Sequence, residues 1–275
     1  MTFFDREELA RALANTYKGG RQVKPWDRVE DYRRYLDYTA DYPNKGSGAV
    51  ASALELPRGR VRAWMNGSKP DPVRAIEIAE ENDWFDLTWD SEVFAGLNIL
   101  IAWVFSGGSI TTENYVPQVA VTNKTRGCAE QALRTIGVED IIVNREDNAN
   151  RATEIKPKRH AAVLGRYLTV LGAPVGEKNQ TRSLSLPPYL EEAPWDVRRD
   201  FMCAYVWNRG TIRRDLDESP VQIREERSSD YRAAIFELLN SLVPDAVQSR
   251  SSTFRLSKPA TELLYQPPEF CKNRA

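Results

Sequence analysis

The chain has 275 residues, enough for two domains and a sizeable core, with 28% charged residues, 41% hydrophobic residues and a formal net charge of −1. That balance is ordinary for a globular protein, so any affinity for a polyanion has to come from local patches. No apolar run approaches the ~20 residues of a membrane span, and the N-terminal residues lack a signal-peptide layout. One histidine, His160, and three unpatterned cysteines, Cys128, Cys203 and Cys271, argue against a zinc site or a histidine-dependent nucleophile. They predict reduced thiols in an intracellular, cytoplasmic protein.

In chain order, residues 6–17 read as a short helix and Lys18-Gly-Gly-Arg21 as a break. A stronger helix spans 28–39, with Val29, Tyr32, Tyr35 and Leu36 on one face. Residues 48–54 form a small-residue helix, Glu55-Leu56 a tight turn, and 57–65 a second helix opened by Pro57 and closed at Asn66-Gly67. With Ala51, Leu54, Leu56, Val61 and Trp64 packing the pair together, the stretch at about 47–66 resembles a helix-turn-helix, whose second helix enters the major groove of DNA. Arg58, Arg60 and Arg62, with Lys45 and Lys69, make a basic patch that the net charge conceals. Three arginines at alternate helical positions cannot all point one way, so at most two reach DNA. A helix at 71–81 starts with Asp71 as N-cap and Pro72 at its first position. Aromatic residues 84–89 link this helical domain, 1–88, to the remainder of the chain.

Two later stretches nearly repeat one another: Leu100-Ile-Ala-Trp-Val-Phe-Ser-Gly-Gly-Ser-Ile110 and Met202-Cys-Ala-Tyr-Val-Trp-Asn-Arg-Gly-Thr-Ile212. Phe94, Leu97, Ile101 and Val104 in the first, and Phe201, Ala204 and Tyr205 in the second, recur at helical spacing. Each reads as the end of a buried helix, capped by a left-handed Gly108 or Gly210, that turns into a strand. Small residues Ala95, Gly96, Ala102, Cys203 and Ala204 predict close contact between the two helices. After the first helix, strands are expected at 109–116, 118–123, 140–144 and 152–155, and helices at 126–136 and 159–171. After the second, strands are expected at 210–217, 221–227, 246–250 and 253–256, with a helix at 230–242 and no clear closing helix.

The two stretches resemble the paired signature helices of the LAGLIDADG homing-endonuclease family, and Leu171-Gly-Ala-Pro-Val-Gly-Glu-Lys178 with Leu184-Ser-Leu-Pro-Pro188 resembles the linker between that family's halves. The resemblance implies an α+β fold in which a pseudo-two-fold domain at 91–260, of αββαββ repeats 91–172 and 193–258, forms a saddle of antiparallel sheets, with a tail at 261–275. The family's metal-binding acids fall on Gly107 and Arg209, neither of which offers a carboxylate oxygen to a divalent ion. The implied protein has no catalytic residues, metal or cofactor.

Residues that would face double-stranded DNA on the saddle are Lys124, Arg126, Arg145, Arg151, Lys156, Arg209, Arg213, Arg214, Arg224 and Arg227. Arg209 has two readings: a cation at a helix C-terminus, favoured by the macrodipole, or a replacement for the lost metals against a phosphate. Glu113, Asp200 and the Glu177-Lys178 pair read as surface charges, or as displaced members of a metal site. The expected function is sequence-specific binding of double-stranded DNA, most simply in transcription regulation, by a monomer or weak homodimer with no membrane partner. The alternatives are an active magnesium-dependent endonuclease using other carboxylates, and an RNA-splicing helper of the maturase kind.

Overall fold

The structure is a computed structural model that describes residues 5–19, 23–143, 152–178, 184–212, 221–248 and 252–272. It is a mixed α+β protein with two small antiparallel sheets. The chain divides into two compact units that meet in sequence at Asp86 and Leu87. No helix among the described residues is long and apolar enough to cross a membrane.

The N-terminal unit is helical. α1 (Arg6–Asn15) is opened by Asp5, whose carboxylate accepts the Glu8 N–H at 2.8 Å. α2 (Pro25–Asp41) begins at a proline, three residues before its apolar periodicity does. It buries Val29, Tyr32 and Tyr35, whereas Leu36 is turned to solvent. α3 (Ser47–Leu54) and α4 (Arg58–Met65) are joined by a turn in which Glu55 takes the left-handed conformation, φ 57°. Ala51, Leu54, Val61 and Trp64 are buried, and Trp64 meets the Tyr32 ring edge-on at 5.2 Å. In α5 (Asp71–Glu81) Asp71 is already helical and pairs with Arg74 at 3.2 Å, so Pro70, not Asp71, takes the cap position.

The second unit is built on α6 (Glu92–Ser106) and α9 (Trp195–Arg209). α6 is apolar around its circumference and α9 is buried from Phe201 to Trp207, and such helices are stable only inside a core. They pack on each other. The one polar side chain midway along α6, Asn98, is bonded through both of its polar atoms: Nδ2 donates to Val197 O at 3.0 Å and Oδ1 accepts the Tyr189 hydroxyl at 2.7 Å.

After α6 come β1 (Ser109–Ile110), β2 (Pro117–Val121), α7 (Arg126–Thr135), β3 (Asp140–Val143), β4 (Thr153–Pro157) and α8 (Ala161–Val170), with the strands in order β1-β2-β4-β3. After α9 come β5 (Thr211–Ile212), β6 (Val221–Arg224), α10 (Ser229–Leu242) and β7 (Thr253–Arg255), ordered β5-β6-β7, with an isolated bridge between Val247 and Leu256. The expected strands at 140–144, 210–217 and 246–250 run in part outside the described residues. Alternating burial sets the strand faces: Val119, Val121, Ile155, Val221, Ile223 and Phe254 point into the core.

Four sequence expectations are corrected. Gly107 ends α6 with φ −154°, and Gly210 ends α9 with φ −73°; neither is left-handed, nor is Gly108. These glycines answer to crowding instead. A Cβ on Gly108 would lie 2.6 Å from Gln118 O, and one on Gly210 2.6 Å from Val206 O and 2.4 Å from a Val221 methyl. Of the small residues expected between the helices, Gly96 instead admits α7, because a Cβ there would come within 3.1 Å of Ala132 O, and Cys203 Sγ donates to Leu263 O at 3.5 Å. The tail also folds, as α11 (Lys258–Leu264) and α12 (Glu269–Lys272). Finally, Cys128 on α7 and Cys271 on α12 are joined in a disulfide, with Cα atoms 5.3 Å apart, rather than standing as free thiols.

Candidate nucleic-acid interface

The chemistry is concentrated where α6 ends. The last carbonyls of a helix have no partner within it, and here three cations from three other segments take them up. Lys178, in the segment after α8, donates to Val104 O and Gly108 O, both at 2.5 Å. Arg227 donates to Phe105 O at 2.6 Å. Arg209, at the foot of α9, crosses to Ser106 O at 2.8 Å and holds Arg224 O at 3.1 and 2.7 Å through its other nitrogens. Beside it Asn208 Nδ2 donates to Ser106 Oγ at 2.9 Å, and a Cβ on Gly107 would lie 3.0 Å from the same Nδ2. The foot of α9 thus closes the end of its neighbour.

One carboxylate balances the three cations. Glu225 is fully buried, accepts the Tyr205 hydroxyl at 2.5 Å, and stands 3.4 Å from both Arg209 and Arg227. Burial lowers the Lys178 pKa to about 7, the Arg227 and Arg209 charges push the same way, and Glu225 offsets part of the effect. A neutral lysine amine keeps two N–H groups, so both carbonyls stay bonded after the proton leaves. Neither Glu225 nor the Tyr205 hydroxyl stands out in the sequence as a site group. The available signal is period two: Glu225 follows Val221 and Ile223 on the buried face of one extended segment.

Lys178 also lines a groove of about 750 Å³ with Ser109, Thr111, Glu113, Gln118 and Lys156. The sheet faces turned away from the core present Gln118 and Lys156 in the first sheet, and Gln222, Arg224, Thr253 and Arg255 in the second. Gln222 pairs directly with Arg255 across the ladder. Lys156 is 3.4 Å from Glu154, and Arg224 holds Glu226 through Nε at 2.9 Å.

The other candidate residues are scattered. Arg227, expected on the open face, is 6% exposed and committed to Phe105 O and Glu225. Arg126 is paired with Glu130 at 2.7 Å. Lys124 lies over the Tyr265 ring at 3.9 Å and the Trp207 ring at 5.2 Å. Arg145, Arg151, Arg213 and Arg214 lie outside the described residues. Asp200 is no surface charge: it pairs with Arg199 at 2.8 Å and accepts the N–H groups of Glu269 and Phe270 at 3.2 and 3.1 Å. Glu113 and Glu177 are not enclosed in this way: both are exposed beside the groove. Among the described residues no three His, Cys, Asp or Glu side chains are grouped to hold a metal.

In the N-terminal unit α4 divides its arginines. Arg60 turns inward to Asp31 at 2.8 Å, whereas Arg58 and Arg62 are exposed with no ion pair among the described residues. Lys45 is exposed as well, and Lys69 is held by Glu77 at 2.7 Å.

No protein-family model and no curated protein matches the chain.

Proposed function

We propose that the protein binds double-stranded DNA sequence-specifically, as a regulator of transcription built on a LAGLIDADG-like scaffold that has lost its metal acids. The observation that carries this reading is the foot of the two central helices. The two positions that would need carboxylates hold Gly107 and Arg209, and the surrounding groups are Lys178, Arg209 and Arg227 against one enclosed Glu225. Such a centre repels divalent cations and attracts phosphate. The residues turned outward on the sheets, Gln118, Lys156, Gln222, Arg224 and Arg255, are of the types that bind adenine and guanine edges in the major groove. α3 and α4 support the reading as a helix-turn-helix, with Arg58 and Arg62 free to meet DNA.

The deciding experiment incubates the purified chain with a random duplex pool and magnesium, and reads enriched sequences and cut ends together. Enrichment of one long site without cleavage is expected. Cleavage abolished by a chelator would return the protein to the endonucleases, and no enrichment at any salt concentration would end the DNA reading.

A further inference from the structure

The C-terminal segment 258–272 is a strap held at its far end by three attachments. Asp200 accepts two of its N–H groups, Gln131 Nε2 donates to Phe270 O at 3.0 Å, and Cys271 is bonded to Cys128. Only the last is covalent. It forms part of the wall of a cavity of about 580 Å³ that is also lined by Gly127, Arg134, Trp207 and Pro267. Within the bond the two sulfurs are unequal: Cys128 is buried, 6% exposed, whereas Cys271 is partly open to solvent.

We propose that the Cys128–Cys271 bond is a thiol-exchange site, opened by a dithiol reductant, that releases the strap from α7. The incoming thiolate attacks Cys271 Sγ, the accessible sulfur. The S–S electron pair leaves with Cys128 Sγ, which stands in the first turn of α7. The positive end of a helix dipole stabilises a thiolate, and a stabilised thiolate is the better leaving group. The second thiol of the reductant then attacks the reductant's own first sulfur, expelling Cys271 as a thiol and closing the reductant's disulfide. Two electrons and two protons pass to the protein, and the reductant ends as a disulfide.

Release has a local consequence. Tyr265, whose ring lies over the Lys124 ammonium, is in the strap just ahead of Pro267, and burial lowers the Lys124 pKa. Opening the bond leaves the end of the strap on Asp200 and Gln131 alone, and Lys124 becomes intermittently uncovered.

The test uses the full chain, air-oxidised or treated with dithiothreitol, and does not involve DNA. In oxidised protein Cys128 and Cys271 are expected to resist alkylation without denaturant and to appear as one linked peptide pair. After reduction, under conditions where the reduced chain stays folded, amide exchange in segment 258–272 is expected to rise about tenfold or more and to run ahead of that in α10, and Lys124 to acylate several-fold faster. A Cys271→Ser variant should behave as reduced protein in either condition. Alkylation of both cysteines in oxidised protein would overturn the proposal. So would exchange and acylation rates that do not change on reduction.

Discussion

Lys178 sits in an environment far from what its type prefers. Its pKa of about 7 lies below the ordinary 10.5, so between those values the unfolded chain binds more protons than the folded one. Folding stability therefore rises with pH from about 7 upward, by at most ~1.4 kcal/mol per unit from this group. Above pH 9 the buried Cys203 thiol, pushed up to about 12, acts in the opposite sense. Urea titrations at pH 6, 7, 8 and 9 should show this rise in the natural chain and a flatter profile in Lys178→Met. Equal slopes would mean that the amine keeps its proton. Arg209 answers a different question. Removing it by Arg209→Ala frees two carbonyls and one side of Glu225, and should cost about 1.5–3 kcal/mol. If the DNA reading holds, the folded variant also binds duplex more weakly. Unchanged affinity would leave helix closure as its whole role.

At the scale of elements, what was legible followed from periodicity and what was missed followed from contacts between distant segments. The near-copies at 100–110 and 202–212 announced two buried helices each followed by a strand, because an all-round apolar run and a β-branched successor are local features. The reason for their glycines was not local. Gly210 has an ordinary φ, and only the positions of Val206 O and Val221 forbid a side chain there. Of the tail helices, α11 reads as a short stretch at 261–265, and α12 was missed because Pro267-Pro268 reads as a breaker, while the partners that hold it lie on α9 and α7. At the candidate site the cations were visible as residue types, but the division of Arg58, Arg60 and Arg62 depended on Asp31, and the enclosure of Arg227 on Glu225. One substitution tests the crowding argument. Gly165 on α8 has the backbone of Tyr115 against it, so close that a Cβ would fall 1.7 Å from Tyr115 O. Gly165→Ala should destabilise the fold by at least ~1–3 kcal/mol, and a denaturation midpoint equal to that of the natural chain would show that the turn at 111–116 yields easily.

For the whole molecule, the formal charge of −1 means that any DNA affinity comes from small groups of cations. Duplex affinity should fall linearly on a log–log plot against salt concentration, with the slope reduced by about 1 for each of Arg58→Ala and Arg62→Ala that contacts phosphate. A salt-independent affinity would count against phosphate contact altogether. The disulfide ties residues separated by 143 positions, a span that in the chain-entropy account stabilises by roughly 5 kcal/mol. Thermal unfolding in dithiothreitol should therefore begin at a clearly lower temperature than in air-oxidised protein.

The two near-repeats are secured by different chemistry. The foot of the first central helix is closed by an amine that titrates near neutrality and by two guanidiniums. The second helix carries Asp200, which anchors a strap locked by sulfur. Halves that look alike in outline thus answer to separate variables of their surroundings. Acidity bears on one through the Lys178 amine, and the proposed thiol exchange bears on the other.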